Sequence, residues 1–170
     1  MEKFNRLDPY TLNESIFRLI GKDWMLVSAG TPENFNMMTA SWGTCGILWN
    51  KPIAIAFIRP QRYTYEFVEK HEVFTLSFFD ESFRKTLNVL GTKSGREMDK
   101  MNMEGLTPLA TPSGSVGFKE ARITLECRKL YFDDIKPELF LDEKIHSMYP
   151  SKDYHRFYIG EIMEVMGNFH

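Results

Sequence analysis

The sequence predicts a small, mostly β protein, an antiparallel barrel with a few short helices. Two observations support this class. Short apolar segments are separated by turn-forming residues, and no regular alternation of strands with long helices suggests a parallel sheet. We count six or seven short strands and two or three short helices. At 170 residues the chain is expected to form one domain, residues 1–170, with a substantial core.

The strands are recognised by period-two alternation or by short, nearly continuous apolar runs. In chain order they are Trp24–Gly30, Asn36–Thr44, Ile53–Ile58, Val73–Phe79, Ala121–Phe132 and Tyr154–Ile162, the last continued by Met163–Met166. The first two are expected to pair as a hairpin across a Pro/Asn loop. In the fifth strand the inward residues are expected to be Ile123, Leu125, Cys127 and Leu130, and a switch of phase near Arg128 predicts a bulge.

Helices are predicted where apolar residues recur at helical spacing or where capping residues occur. The segments are Tyr65–Lys70 with Thr64 as N-cap, Ser82–Leu90 stopped by Gly91, a start at Ser94 with Glu97 as its capping box, and Asp142–Met148. Residues Thr107–Gly117 are rich in Pro, Ser, Thr and Gly and are predicted to be a loop.

Composition excludes several classes of function. The net charge of −2 gives no strong field for nucleic acid or an anionic membrane. Apolar runs such as Ile53–Ile58 are too short to span a bilayer, and Met1–Arg6 is not followed by a signal-peptide core. A cytoplasmic location is therefore expected. Cys45 and Cys127 lack metal-ligand spacing, and Cys127, among apolar neighbours, is expected to be an inert thiol.

The segment Asn36–Thr44 is the first candidate binding element. Met38, Ala40 and Trp42 share one face, while Thr39 and Ser41 add small hydroxyls. Small residues allow a flat ligand to approach the backbone, whose N–H and C=O groups can bind its polar edge. The alternative is a half-buried strand with its Thr and Ser side chains in solvent.

The segment Arg59–Thr64 is the second candidate, because it joins a strand to a helix through a turn that carries Arg59 and Arg62. A helix N-terminus offers unpaired N–H groups, and arginine offers a planar fork that matches phosphate oxygens. Both components of an anion site therefore occur together. The alternative is a polar turn with solvated arginines.

Familiar catalytic motifs are absent from the sequence. It has no G-x-G-x-x-G after a strand, no phosphate-binding P-loop, no H-E-x-x-H and no G-x-S-x-G. The four histidines, His71, His146, His155 and His170, are isolated in sequence, so no metal site and no catalytic side chain is predicted. Any chemistry is expected to belong to a bound cofactor.

Four segments together resemble the flavin reductase family, close to its flavoredoxin-like branch. They are Asn36–Trp42 (N-M-M-T-A-S-W), Arg59–Thr64 (R-P-Q-R-Y-T), Ser94–Lys100 (S-G-R-E-M-D-K) and His155–Ile162 (H-R-F-Y-I-G-E-I). The first is the most specific, and the others gain weight in combination. The resemblance covers roughly residues 15–166, and the chain ends at Gly167–His170 without the longer apolar C-terminal segment of many relatives.

This resemblance implies an FMN-binding split barrel, a six-stranded antiparallel Greek-key barrel that forms a homodimer with FMN near its interface. FAD is a possible alternative cofactor, and NAD(P)H is the implied electron donor. The implied cofactor-binding residues are Asn36, Met38, Thr39, Ala40, Ser41 and Trp42 at the ring, Arg59, Arg62, Tyr63 and Thr64 at the phosphate and ribityl chain, and Lys100 and His155 nearby.

The implied activity is that of an FMN-dependent oxidoreductase, which passes hydride from NAD(P)H to flavin and on to a second acceptor. One alternative is a flavoredoxin-like electron carrier reduced by an iron–sulfur partner, with Asp133-Asp134 and Asp142-Glu143 as candidate acidic docking spots. Another is an FMN-binding module without catalysis, and a third is a barrel without a cofactor. The redox chemistry in the first two of these interpretations belongs to the cofactor, and the protein positions it.

Overall fold

The computed structural model describes residues 5–167, in which ten strands and three short α-helices are arranged around a curved antiparallel sheet. The strands are β1 (Asn5–Leu7), β2 (Met25–Thr31), β3 (Asn34–Ala40), β4 (Gly43–Leu48), β5 (Lys51–Ile58), β6 (Val73–Phe78), β7 (Pro108–Ala110), β8 (Val116–Phe118), β9 (Ile123–Asp134) and β10 (Arg156–Gly167). The helices are α1 (Ile16–Arg18), α2 (Tyr63–Lys70) and α3 (Arg84–Thr92).

Eight strands form one sheet, and its order explains why the barrel is split. The order is β3-β2-β6-β9-β10-β5-β4, with β1 added beside β10, and every pairing is antiparallel. The two ends, β3 and β4, are joined in sequence by Ser41 and Trp42, but no pairing connects them within residues 5–167. The predicted antiparallel split barrel is confirmed, with eight sheet strands where the resemblance implied six.

Two apolar clusters hold the sheet, one on each face. The inner cluster fills the barrel with residues such as Val27, Met38, Phe74 and Tyr158, all nearly inaccessible to solvent. The outer cluster lies beneath α3 and the β7–β8 hairpin and includes Leu26. Because side chains alternate along β2, Leu26 faces outward and Val27 inward. The strand is therefore buried on both sides, as its continuous burial from Met25 to Gly30 shows.

The predicted bulge in β9 is present, two residues beyond Arg128. Lys129 pairs with Gly160 and Tyr131 with Ile159, so Leu130 is the extra residue. Its side chain is 36% exposed, and the prediction that Leu130 points inward is wrong, because the bulge falls at Leu130 itself and the alternation that starts from Cys127 is unbroken before it. The other three predicted inward residues, Ile123, Leu125 and Cys127, are buried.

Gly160 in the I-G-E segment has a packing reason. A Cβ at this position would lie 2.8 Å from the Cβ of Cys127 and 2.8 Å from the ring of Phe74. Both neighbours belong to the inner cluster, which leaves no room for a side chain where β10 crosses the bulged part of β9.

Several predicted boundaries need correction. The strand predicted as Asn36–Thr44 ends at Ala40, and a new strand begins at Gly43. Gly91 does not end α3, which continues to Thr92. A 3₁₀ turn at Glu81–Phe83 precedes this helix. Ser94 begins a turn and not a helix, while the predicted Thr107–Gly117 loop contains β7 and starts β8.

Other elements agree with the sequence more closely or were not predicted. The predicted helix at Asp142–Met148 is a 3₁₀ helix, Glu143–Met148, with Asp142 as its N-cap. Strand β1 was not predicted, since three residues carry too little periodicity to identify a strand. No helix among residues 5–167 has the length and apolar character needed to cross a membrane. His170 and the rest of the chain beyond Gly167 lie outside the described residues.

Candidate functional site

A cleft of about 200 Å³ opens where the barrel is split between β3 and β4. Its lining comes from the end of β3, the following Ser41–Trp42 linker, the end of β5 with the turn after it, and the start of β10. The lining residues are Met38, Thr39, Ala40, Ser41, Trp42, Phe57, Arg59, Arg62 and His155. Eight of these nine were predicted from the sequence, and Phe57 was not.

One wall of the cleft is uncharged and small. Met38 lies in the inner cluster, and the hydroxyl of Thr39 donates a hydrogen bond to the carbonyl of Leu87 in α3. The wall is therefore anchored on both faces of the sheet. Beyond Ala40 the chain leaves the sheet, so Ser41 and Trp42 have no strand partner within the described residues. Their backbone is a suitable surface for the polar edge of a flat ligand.

The opposite end of the cleft is positively charged, and Arg62 is its central residue. Arg62 is the N-cap of α2, and no side chain caps the helix. Its Nη2 atom is buried with no hydrogen-bonding partner among the described residues. Burial lowers the pKa of Arg62, and the neighbouring charge of Arg59 lowers it further. An uncapped helix N-terminus and an unpartnered guanidinium nitrogen together form a site for an anion.

Arg59 lines the cleft but is already engaged. Its Nη1 lies 2.7 Å from Oδ1 of Asp153, and its Nη2 donates to the carbonyl of Met148 at 3.0 Å. Its guanidinium carbon also stands 4.8 Å from the ring centre of Tyr149. Arg59 therefore ties the β5–α2 turn to the segment before β10, and less of its charge is available to a ligand than sequence reasoning implied.

His155 forms the third side of the cleft and is neutral. A 2.7 Å hydrogen bond links its Nδ1 to the hydroxyl of Tyr149, and its ring centre is 5.1 Å from that of Trp42. Burial, followed by the charge of Arg59, lowers the pKa of His155 to about 4. An uncharged imidazole and two aromatic rings, Trp42 and Phe57, thus face each other at the uncharged part of the cleft.

Four predicted residues lie behind the cleft and do not line it. The amide Nδ2 of Asn36 donates to Oγ1 of Thr64 at 2.8 Å in a buried contact between β3 and α2. Thr64 is the second residue of α2, so its predicted role as N-cap is wrong and that position belongs to Arg62. Tyr63 packs its ring under the guanidinium of Arg96, at 4.7 Å.

Lys100 is the fourth of these residues. Its side chain is nearly inaccessible, and Nζ donates to the carbonyls of Met37 at 2.9 Å and Leu90 at 2.8 Å. It therefore links β3 to α3 through two uncharged acceptors. Burial lowers the pKa of Lys100 to about 8, with a further contribution from the charge of Arg62.

Gly95 permits the turn that carries Lys100 to approach the site. A Cβ at this position would lie 2.2 Å from Oδ1 of Asn36 and 2.9 Å from the ring of Tyr63. The S-G-R segment is thus fixed to β3 and α2 by a close backbone approach, which explains why glycine occupies this position.

Sequence reasoning missed the residues that hold cleft side chains in position without lining the cleft themselves. Tyr149 and Asp153 lie in the segment between β9 and β10 and hold His155 and Arg59. Nothing in their local sequence indicates these contacts, because both partners are remote or across an irregular segment. Phe57 was read as core, although in the alternation of β5 it is only half-buried between buried Ala56 and Ile58.

In the described part of the chain, neither free thiol is activated as a nucleophile, and no acidic cluster is placed to hold a metal ion. Burial raises the pKa of Cys45 to about 11 and that of Cys127 well above its ordinary value, so both stay protonated at neutral pH. Within residues 5–167 no group of three or more His, Cys, Asp or Glu side chains is placed to hold a metal ion.

Replacing His155 should change the pH dependence of stability. Because its pKa falls from 6.5 to about 4 on folding, the unfolded chain takes up the proton first, and the free energy of unfolding should decrease from about pH 6.5 down to pH 4. The variant His155→Gln lacks this contribution. Between pH 7 and pH 5 the wild type should lose on the order of 1–2 kcal/mol more than the variant, measured by urea unfolding. Equal losses would show that His155 is not held neutral.

The comparisons with known proteins agree with this architecture. A family model described as the flavin reductase like domain matches residues 17–168. A comparison with curated proteins finds no match. Among solved structures, an FMN-binding protein from Thermus thermophilus with bound p-hydroxybenzaldehyde superposes with a TM-score of 0.68, at 21% identity over 99% of this chain and 82% of that chain.

Two further structures extend the comparison. The flavoredoxin of Desulfovibrio vulgaris (Miyazaki F) has a TM-score of 0.66, at 20% identity over 99% of this chain and 77% of that one. The NADH:FAD oxidoreductase of Streptomyces globisporus C-1027 has a TM-score of 0.63, at 14% identity over 84% and 73%. At these identities the likeness shows a shared fold. The family match, which covers most of the chain, shows more: the chain belongs to the flavin reductase like domain family.

Proposed function

We propose that this protein is a flavin-binding oxidoreductase that uses FMN as its cofactor. We also propose that the chain forms a single domain. The observation that carries the proposal is the buried, unpartnered Nη2 of Arg62 at the uncapped start of α2, beside the uncharged part of the cleft. A ligand with a flat ring and an anionic tail matches both halves of such a site. FMN has this shape, and the T. thermophilus relative is named as an FMN-binding protein.

The charges around Arg62 support a phosphate as the anion. Three cationic side chains lie at this end of the site, and Arg59 has the carboxylate of Asp153 as partner. Lys100 donates hydrogen bonds to two backbone carbonyl oxygens, which do not neutralise its charge, and Arg62 retains an unpartnered nitrogen. The resulting excess of positive charge is partly buried, where an anion gains most from it. A phosphate with nearly two negative charges would balance it.

The uncharged end of the cleft suits the ring of a flavin. Trp42 and Phe57 offer aromatic faces, and neutral His155 offers a hydrogen bond without a charge. The backbone from Thr39 to Trp42 supplies further donors and acceptors. Flavin, when bound, would supply the two-electron chemistry, and the chain would position it and exclude competing contacts.

The nicotinamide donor is the finer part of the proposal. We expect NADH or NADPH to donate hydride and a second acceptor to receive it, as in the relative named as an NADH:FAD oxidoreductase. FAD remains a possible flavin, because that relative binds FAD fragments. The free thiols of Cys45 and Cys127 agree with action in a reducing compartment, for which we propose the cytoplasm.

The electron-carrier alternative receives little support from the surface charges. Asp133 is paired with Lys136 at 2.7 Å, and Asp134 with Arg156 at 2.7 Å. The charges of this candidate docking spot are therefore largely compensated, whereas Glu143 in the other spot is 90% exposed. Because one structural relative is named as a flavoredoxin, the test below also distinguishes this alternative.

The variant Arg62→Met should weaken FMN binding while leaving riboflavin binding nearly unchanged. Riboflavin has the ring but no phosphate, so it does not use the Arg62 contact. Loss of a charge-assisted hydrogen bond of about 1.5–3 kcal/mol corresponds to roughly 10- to 100-fold in Kd. Quenching of flavin fluorescence measures both constants. Arg6→Met, which removes an exposed ion pair with Glu164, is the matched control and should bind both flavins normally. Equal weakening for both flavins would contradict a phosphate site at Arg62.

Anaerobic titration of the FMN-loaded protein with NADH and NADPH separates the activities. Bleaching of the flavin absorbance within a normal turnover time is expected and identifies the preferred nucleotide. Flavin that stays oxidised with both nucleotides but is reduced by a reduced iron–sulfur protein would instead establish an electron carrier. Flavin reduced by neither would leave a binding module without catalysis.

We also propose that the protein is a homodimer that pairs through the β4 edge. This edge strand carries no charged residue and exposes Ile47 (61%) and Leu48 (36%), while the adjoining Trp49 contacts Tyr131. Exposed apolar edges are normally covered. The cleft of about 200 Å³ is also smaller than the ~300–1,000 Å³ of usual ligand sites, so a second copy could complete it.

The variant Ile47→Lys should convert the dimer to a monomer, because a charge at the edge opposes both pairing and burial. Size-exclusion chromatography with light scattering should give twice 19.9 kDa for the wild type and a single chain for the variant. Leu141→Lys, at a fully exposed apolar residue elsewhere, should stay dimeric. A monomeric wild type would refute the proposed interface.

A further inference from the structure

A row of polar side chains crosses the barrel wall away from the cleft. Ser28 lies opposite Thr75, and Thr75 opposite Glu126, so one residue from each of β2, β6 and β9 stands side by side. Ser28 follows Leu26 by two residues and therefore shares its outward face. All three side chains in the row are fully buried, including the carboxyl group of Glu126.

The turn between β7 and β8 covers this row. The backbone N–H of Ser113 donates to Oε1 of Glu126 at 3.1 Å, and Oγ1 of Thr75 donates to the carbonyl of Val116 at 2.7 Å. The turn is closed by a hydrogen bond from the N–H of Thr111 to the carbonyl of Ser115 at 2.9 Å. Its tip is exposed, whereas Thr111 and Ser115 at its base are 5% and 4% exposed.

Four oxygen atoms of this region have no hydrogen-bonding partner among the described residues. They are Oε2 of Glu126 and the hydroxyl oxygens of Ser28, Thr111 and Ser115. Buried polar atoms in folded proteins are nearly always satisfied, and an unsatisfied group indicates a bound water or ion. A buried, ionised carboxylate with one hydrogen bond is costly unless a positive charge accompanies it. A cation at this position would both satisfy these oxygen atoms and balance the carboxylate.

We propose that the buried oxygen atoms of Glu126 and the Thr111–Ser115 turn form a site for an alkali cation, Na⁺ or K⁺. Its donors are a carboxylate and hydroxyl oxygens, which suit hard cations and not the metals that prefer nitrogen or sulfur. A single positive charge neutralises the single carboxylate. A divalent ion would leave a net positive charge at the buried site, which a lone carboxylate cannot compensate.

The cation would fasten the turn to the sheet. Glu126 belongs to β9 in the barrel wall, whereas Thr111 and Ser115 belong to the turn. A cation coordinated by all three residues would join the two parts. The site is independent of the flavin proposal, since none of its residues lines the cleft. The competing arrangement is a protonated Glu126 that donates to one of the hydroxyls, which requires no cation.

The test compares thermal unfolding of the full chain in KCl, NaCl and choline chloride at equal ionic strength. Choline is too large for the site, so KCl or NaCl should raise Tm by about 3 °C over choline chloride, with saturation as the cation concentration rises. Glu126→Gln keeps the shape and removes the charge, and it should abolish the shift. Ser77→Ala is the control, because the Ser77 hydroxyl is buried on the same face but is paired with Thr124 at 3.0 Å.

Ser77→Ala should lose some stability yet retain the cation-dependent shift. Equal Tm values for the wild type in all three salts would overturn the proposal in favour of a protonated carboxyl. An undiminished shift in Glu126→Gln would overturn it by showing that the cation acts at another place. A second measurement needs no variant. Crystals grown with Tl⁺ in place of K⁺ should show anomalous scattering between Glu126 and the Thr111–Ser115 turn, and absence of that signal would also overturn it.

Discussion

The unpaired junction between β3 and β4 is the constraint on which the rest of the site depends. The chain must pass from one end of the sheet to the other through Ser41 and Trp42, and there the barrel cannot close by backbone hydrogen bonds. Backbone N–H and C=O groups that would pair with a neighbouring strand elsewhere in the sheet therefore face the cleft. The surrounding contacts keep the opening in shape: Thr39 is held by α3, and the β5–α2 turn by Arg59 and Asp153.

Buried charge is distributed unevenly around this barrel. Most charged side chains pair at the surface, as Glu161 does with Lys51 and Arg128. The guanidinium of Arg62 and the carboxyl of Glu126 each keep a buried atom with no hydrogen-bonding partner among residues 5–167, and the two groups differ in sign and in surroundings. Arg62 borders an open cleft, which suits an exchangeable anion, whereas Glu126 lies under a turn, which suits a small resident cation. Both proposals follow from the cost of leaving such atoms unsatisfied.

Sequence reasoning identified the long alternating strands and eight of the nine cleft residues: seven lie in two short segments with their own signals, and His155 was implied only by the family resemblance. It failed where the signal was short or remote. Three-residue strands such as β1 and β8 carry almost no periodicity, and Leu130 was assigned to the wrong face because the bulge falls at Leu130, two residues beyond the predicted change of phase at Arg128. The partners of Arg59 and His155 could not be read from the chain, since Asp153 meets Arg59 across a separation of more than ninety residues and Tyr149 meets His155 across an irregular segment.

The central claim is that an anionic flavin tail binds at the start of α2 while its ring occupies the split of the barrel. A crystal structure of the protein soaked with FMN tests it most directly. The claim predicts density for the phosphate within hydrogen-bonding distance of Arg62 Nη2 and of the first N–H groups of α2, with the ring against the Thr39–Trp42 backbone. Phosphate density at another surface, or a cleft that admits no FMN at saturating concentration, would contradict it.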